Sequence, residues 1–122
     1  MESPMIKATF QLDEQGKPEM IHKKDLKNYR IRLQIEGAPD DTYAVTYVLH
    51  ETYYEPVRES RDYYTGFPED LTSYGDYNVQ AKIRTKSGIL TVASLLSEAL
   101  KAGHKGEMTP DIETALKDIG EN

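Results

Sequence analysis

Residues 29–36, Tyr29-Arg30-Ile31-Arg32-Leu33-Gln34-Ile35-Glu36, carry the alternation that decides the fold class. In an extended chain successive side chains point to opposite faces, so Tyr29, Ile31, Leu33 and Ile35 share one face while Arg30, Arg32 and Gln34 share the other. That is the pattern of a half-buried β-strand. The run Glu36-Gly37-Ala38-Pro39-Asp40-Asp41 ends it with turn formers. Towards the N-terminus, Ile6, Ala8, Phe10 and Leu12 alternate in the same way up to a turn at Asp13-Glu14-Gln15-Gly16. Towards the C-terminus, Tyr43, Val45, Tyr47 and Leu49 fall on one face. Their neighbours Ala44, Thr46 and Val48 are mostly apolar too, as expected of a strand covered on both sides. Tyr77, Val79, Ala81 and Ile83 give another alternating strand, and Lys86-Ser87-Gly88 reads as a hairpin turn into Ile89-Leu90-Thr91-Val92.

Beyond this point the period becomes helical. Val92, Leu95, Leu96, Ala99 and Leu100 form one stripe, with Gly103 as its terminator. Thr109-Pro110-Asp111 has the order of an N-cap, a first-turn proline and a first-turn acid. Ile112, Ala115, Leu116 and Ile119 give a second stripe, stopped by Gly120. The pattern predicts a mainly β domain over residues 1–92 and a helical extension over 93–122 packed on the same domain. The stretch Glu51 to Ser73, rich in Tyr, Arg, Asp and Glu, reads as irregular, and such segments on a rigid sheet are where binding residues gather. Within it, Arg58-Glu59-Ser60-Arg61-Asp62 alternates in sign as a solvated, self-paired face does.

At 122 residues there is room for one core and not for two. Hydrophobic residues make up 38% and charged residues 30%. That is a globular balance. Nine Tyr against two Phe and no Trp point to half-buried aromatic positions or a recognition surface. A formal net charge of −6 argues against binding phosphate backbones or anionic lipid, so neither nucleic acid nor membrane is an expected partner. It suits a basic peptide, and it also serves solubility. Met1 to Met5 lacks the basic and apolar segments of a signal peptide, no apolar run is long enough for a bilayer, and there is no Cys; the expected location is the cytoplasm.

Two short segments stand out. Leu49-His50-Glu51-Thr52-Tyr53 is followed by Pro56 and Arg58, and Ser73-Tyr74-Gly75-Asp76-Tyr77 leads into a strand. Together they resemble the two loop motifs of the YEATS family, readers of acylated lysine, some of whose bacterial members carry similar C-terminal appendages. The resemblance implies an immunoglobulin-like β-sandwich of the prokaryotic YEATS-like branch. It implies a pocket in which Tyr53 and Tyr74 are facing aromatic walls, Thr52 accepts the amide hydrogen of the acyl-lysine, and His50 orients that hydroxyl. Backbone amides around Tyr74 and Gly75 would donate to the acyl carbonyl. The sequence departs from the family in placing Tyr53 where the better-known readers carry Phe, and in placing Glu51 and Asp76 within the motifs. A phenol there needs a partner, and an acid beside the cage would favour a cation.

Other readings stand beside this one. His50 is a strand-end histidine, Tyr53 and Tyr54 suit a cover over the sandwich end, and Tyr74-Gly75-Asp76 suits a turn chosen for its backbone. On those readings the domain is a protein-interaction module, with a YEATS fold and no acyl-lysine pocket, in a bacterial signalling or defence assembly. Catalysis finds little support. His22, His50 and His104 are far apart and lack metal-ligand spacing, and no phosphate loop, nucleophile elbow or Cys nucleophile occurs. The expected function is binding of an acylated-lysine peptide or another protein, without a metal or cofactor. The helical stripes fit packing on their own sheet or on a second copy.

Overall fold

The structure is a computed structural model that describes residues 3–121; Asn122 and the first two residues of the Met1–Met5 segment lie outside the described residues. Two antiparallel sheets of four strands pack face to face. The first contains β1 (Met5–Phe10), β2 (Met20–Lys23), β3 (Leu26–Glu36) and β6 (Glu69–Ser73). The second contains β4 (Thr42–Val48), β5 (Val57–Ser60), β7 (Asn78–Thr85) and β8 (Gly88–Leu95), in the order β5-β4-β7-β8. Two helices follow, α1 (Leu96–Gly103) and α2 (Pro110–Glu121).

The quoted strand is the axis of the first sheet. β1 pairs with its second half, Phe10 opposite Ile31, and β2 with its first half, Met20 opposite Tyr29. β6 takes the other edge, Leu71 opposite Ile31. Between β1 and β2 the chain makes a small excursion closed by a bridge from Leu12 to Pro18, and the Asp13 carboxylate accepts the amide hydrogens of Gln15 and Lys17 within it. The expected turn exists, but β1 and β2 run on as one interrupted edge strand, and Leu12 is left exposed.

The core forms where the alternating faces meet. Ile31, Leu33, Val45, Tyr47, Val79 and Ile83 lose all solvent contact, the main source of stabilisation in a sandwich of this kind. The Tyr47 phenol, buried among them, donates to the Phe67 carbonyl at 2.6 Å. Burial pushes its ionisation up, so it stays a donor.

Several expectations change. Tyr43 leaves the face that its alternation predicts, because the register shifts between Thr42 and Ala44; the bulge turns its ring outward while Val45, Tyr47 and Leu49 stay inside. β8 pairs with β7 as far as Leu95 opposite Asn78, so Val92 and Leu95 belong to a strand and the helix starts at Leu96 rather than in the low nineties. Ladder hydrogen bonds to β7 outweigh the helical stripe there. The stretch Glu51 to Ser73, expected to be irregular, holds β5, β6 and a 3-10 turn at Tyr63–Thr65 capped by the Asp62 side chain. Arg61 pairs with Glu59 as expected at 3.1 Å, but Arg58 turns back to Glu69 on β6.

The helices complete the first sheet. α1 lies along β1, whose outer edge would otherwise expose unpaired backbone. The Phe10 amide donates to Nε2 of His104, just past α1, at 2.9 Å, and the two rings stack with centroids 5.6 Å apart. Thr109 caps α2 through its hydroxyl to the Ile112 amide at 3.2 Å, and Tyr29 donates to Asp118 on that helix. His104 is buried, and burial lowers its pKa, only partly opposed by Glu107. The unfolded chain takes up a proton near pH 6.5, where folded His104 still resists one. Stability from this contact is therefore complete above about 6.5 and is lost as pH falls from there through the lowered folded value. Thermal melts of wild type and His104→Gln across pH 8 to 5 check this. Glutamine can accept from the same N–H without titrating, so the wild-type midpoint should fall more steeply than that of the variant.

Candidate functional site

The first motif forms the loop between β4 and β5. Its base is closed by the Leu49 amide donating to the Pro56 carbonyl at 2.7 Å, and a tight turn brings the Tyr53 amide to the His50 carbonyl at 3.1 Å. Inside the turn, Nδ1 of His50 lies 3.2 Å from the Thr52 amide and 2.9 Å from the Thr52 hydroxyl. The amide can only donate, which makes Nδ1 an acceptor. The hydroxyl hydrogen is then also committed to Nδ1, leaving the Thr52 lone pairs free to accept.

Tyr53 is braced from three sides. Its phenol donates to the Thr72 carbonyl on β6 at 2.7 Å and accepts from the Tyr77 phenol at 3.0 Å. The Tyr53 and Tyr77 rings pack at 5.7 Å, and His50 meets the Tyr77 ring edge-on at 5.8 Å. The Arg58 guanidinium sits 5.6 Å from the centre of the Tyr53 ring, within cation–π range. Arg58 is itself fixed by the carbonyls of Glu55 and Asp70, at 2.9 and 2.8 Å. Burial pushes the ionisation of both phenols up, so the chain from Tyr77 to Tyr53 to Thr72 stays a set of neutral hydrogen bonds. The phenol that replaces the family's Phe thus has its partners.

The second motif forms the loop between β6 and β7. The Ser73 hydroxyl donates to the Gly75 carbonyl at 2.7 Å and accepts weakly from the Gly75 amide at 3.3 Å. The Asp76 carboxylate accepts from the Ser97 amide at 2.9 Å and the Ser97 hydroxyl at 2.6 Å. The helix has no side-chain cap of its own, since Leu95 stands at that position, and Asp76 supplies one from another segment. The Leu96 amide also donates to the Tyr77 carbonyl at 2.8 Å. Thus α1, which covers β1, also holds the second loop in place.

The two loops come to the same end of the sandwich. His50, Thr52, Tyr53, Tyr74, Gly75 and Asp76 all line one cavity of about 490 Å³. Tyr74 is half exposed there. Glu51 is not part of the lining, and the Asp76 carboxylate, which is, has both oxygens hydrogen-bonded to Ser97. Sequence reasoning quoted Tyr77 and Arg58 with the two motifs but gave neither a role, and it missed a third contributor altogether. Tyr77 fits the alternation of β7 and reads as core. Arg58 reads as part of a charged run. The third wall is the hairpin between β2 and β3, which brings Lys23, Lys24, Leu26 and Asn28 to the cavity. Its two-residue turn holds Lys24 at φ 52° and Asp25 at φ 64°. This is the left-handed pair that a tight hairpin with native twist requires. Every residue of β2 is exposed, so no apolar alternation marks it.

A second hollow, about 620 Å³, lies between β1 and the end of β8. Its charged lining residues, Glu98 and Lys101, pair with each other at 3.5 Å. Among the described residues no group of three or more His, Asp or Glu is placed to hold a metal, and no helix is long and apolar enough to cross a membrane.

Fold and site define an immunoglobulin-like antiparallel sandwich with a loop-built aromatic cavity at one end. The family model of the prokaryotic YEATS domain matches residues 29–93, more than half of the chain, and the chain belongs to that family. Among solved structures, the yeast AF-9 homologue Yaf9 superposes with a TM-score of 0.55 at 21% identity. That match covers 76% of this chain, which spans 65% of the yeast chain's length. The Yaf9 YEATS domain recognising an H3K122suc peptide gives a TM-score of 0.55 at 16% identity, covering 94% of each chain. At these identities the likeness is one of fold. No curated protein matches.

Proposed function

We propose that the protein is a non-catalytic reader-like module whose cavity takes the planar amide of an acylated lysine between Tyr53 and Tyr74. The observation that carries this reading is the convergence of both motif loops on one open cavity, with Tyr53 braced from behind. Thr52 accepts the amide hydrogen with its free lone pairs, His50 fixes the hydroxyl, and the backbone around Tyr74 and Gly75 donates to the acyl carbonyl. The Yaf9 YEATS domain recognises the H3K122suc peptide, which supports a modified peptide as the ligand class. Stacking on an aromatic ring contributes about 0.5–1.5 kcal/mol beyond burial and a hydrogen bond about 1 kcal/mol net. A free ammonium would give up hydration to meet a cavity whose one carboxylate, Asp76, is already hydrogen-bonded to Ser97 and whose other charged lining residues are lysines. Calorimetric titration with acetyl-, butyryl- and crotonyl-lysine peptides, alongside the unmodified peptide, tests the reading. Acyl peptides are expected to bind, the unmodified one not to, and Tyr74→Ala to weaken binding about tenfold. Absence of acyl-peptide binding, or binding indifferent to Tyr74→Ala, sinks it.

A second reading has its own observation. β8 is an edge strand of eight residues without a charge or a proline, and Ile89 and Leu90 are exposed on it. Such an edge is a template for strand addition by another protein.

A further inference from the structure

Charge at the cavity is opposite in sign to that of the molecule. The chain carries a formal −6, yet the charged residues lining the cavity are Lys23, Lys24 and Asp76. Asp76 holds both carboxylate oxygens on Ser97 at the start of α1, so two lysines against one helix-bound carboxylate leave the lining net positive. Neither lysine has a carboxylate within ion-pair distance among the described residues. They are not carried there by a loose loop. Lys23 pairs with Leu26 at the closing register of the hairpin, and Lys24 occupies a left-handed position. Such a position costs a non-glycine residue about 1 kcal/mol or more. Both lie outside the stretch that the family model matches, 29–93.

We infer that the Lys23–Lys24 hairpin makes the cavity selective for a ligand that presents a carboxylate beside its planar amide. This rests on the acyl-amide reading and deepens it by naming the ligand class. A neutral amide enters between the rings, and the two ammonium groups at the rim meet an anionic group. One source of that group is a dicarboxylic acyl chain, as in succinyl-lysine; the other is an acidic side chain flanking the modified lysine in the peptide. The chemistry at the rim is the same for both.

The experiment compares three peptides on an otherwise neutral background: butyryl-lysine, succinyl-lysine, and butyryl-lysine flanked by glutamates. Butyryl and succinyl have the same carbon chain and differ in the terminal carboxylate. Each is titrated into the wild type and into the exposed-site double variant Lys23→Gln/Lys24→Gln, at low and high salt. At least one anionic peptide is expected to bind the wild type about tenfold more tightly than plain butyryl-lysine, the scale of two ion pairs in a half-open cleft. The double variant should lose that advantage, with affinity for the anionic peptides falling further than affinity for plain butyryl-lysine, and salt should shrink the advantage in the wild type. Preference for succinyl alone assigns the carboxylate to the acyl group, and preference for the flanked peptide alone assigns it to the peptide. Equal affinity for all three, or a preference that survives the double variant, overturns this inference and leaves the acyl-amide reading standing. If no acyl peptide binds at all, the acyl-amide reading falls and takes this inference with it.

Discussion

Gly103→Ala is expected to destabilise the domain by about 3 kcal/mol, in the upper range of overpacking costs and a large share of the roughly 5–15 kcal/mol that holds a domain of this size. A β-carbon built on Gly103 would stand 1.9 Å from the Ala8 carbonyl oxygen and 2.8 Å from its carbonyl carbon. Those are backbone atoms of β1, paired with Leu33 in the middle of the first sheet, and they have no room to retreat. The helix must lift instead. Lifting it breaks the Phe10–His104 hydrogen bond and loosens the Asp76–Ser97 cap, which ties the second loop to the same helix. The sequence marks Gly103 as a helix stop. The structure gives another reason for it, because the left-handed terminator is absent and His104 takes the cap position at φ −103°. Glycine is there so that two backbones can touch. Gly120→Ala is the matched control, since nothing lies within 4 Å of its added carbon and it is exposed on α2. Alanine is the better helix former by about 1 kcal/mol, so this substitution should raise the melting temperature while Gly103→Ala lowers it by roughly 10 °C. Equal effects at the two sites would mean that α1 does not sit on β1 as described.

Period-two alternation makes the strands that face the core legible, because one buried side writes its pattern into the chain. That is why the segments at Ile6, Tyr29, Val45 and Val79 can be read directly. The same rule explains the failures. β2 has no buried face to reveal it, and β5 and β6 are short edge strands whose Arg, Glu and Asp serve cross-strand contacts such as Arg32–Asp70 and Arg58–Glu69. Tyr43 escapes the pattern because a bulge adds one residue and reverses the alternation, which no local pattern discloses. At the site, the motif residues that touch the cavity are readable from their likeness to a family. The parts that make them a site are not. Tyr77 behind Tyr53 and the Lys23–Lys24 hairpin are distant from it in sequence, and sheet register brings them together; Arg58 is near in sequence, but its place over the ring depends on its bonds to Glu55 and to Asp70 on β6. Asp76 shows the converse, a motif residue that lines the cavity while its carboxylate is engaged by a helix start twenty-one residues away.

Thr52→Val is expected to abolish most acyl-lysine binding while leaving the fold untouched. Valine keeps the shape of threonine and removes its hydroxyl. Thr52 is exposed, and its side-chain bond is to His50 two residues away. The melting temperature should therefore stay within about 1 °C. Binding is another matter. The Thr52 amide on Nδ1 of His50 forces the hydroxyl to spend its hydrogen on that nitrogen and to present lone pairs to the cavity. A ligand amide entering next to it gives up water for that acceptor. With valine the N–H is desolvated and unmatched, at a cost of about 1–3 kcal/mol, or roughly a tenfold to hundredfold loss of affinity. Thr52→Ser keeps the hydroxyl and should stay within a few-fold of wild type. The sharper arm changes the ligand. An ester analogue of the acyl-lysine has no N–H to donate, so it should bind wild type and Thr52→Val alike, and the coupling between hydroxyl and N–H can be taken from the resulting cycle. Should Thr52→Val bind the amide as tightly as wild type does, or lose the ester as steeply as the amide, the hydroxyl is not reading the acyl-lysine N–H, and the role given to His50 in aiming it goes as well.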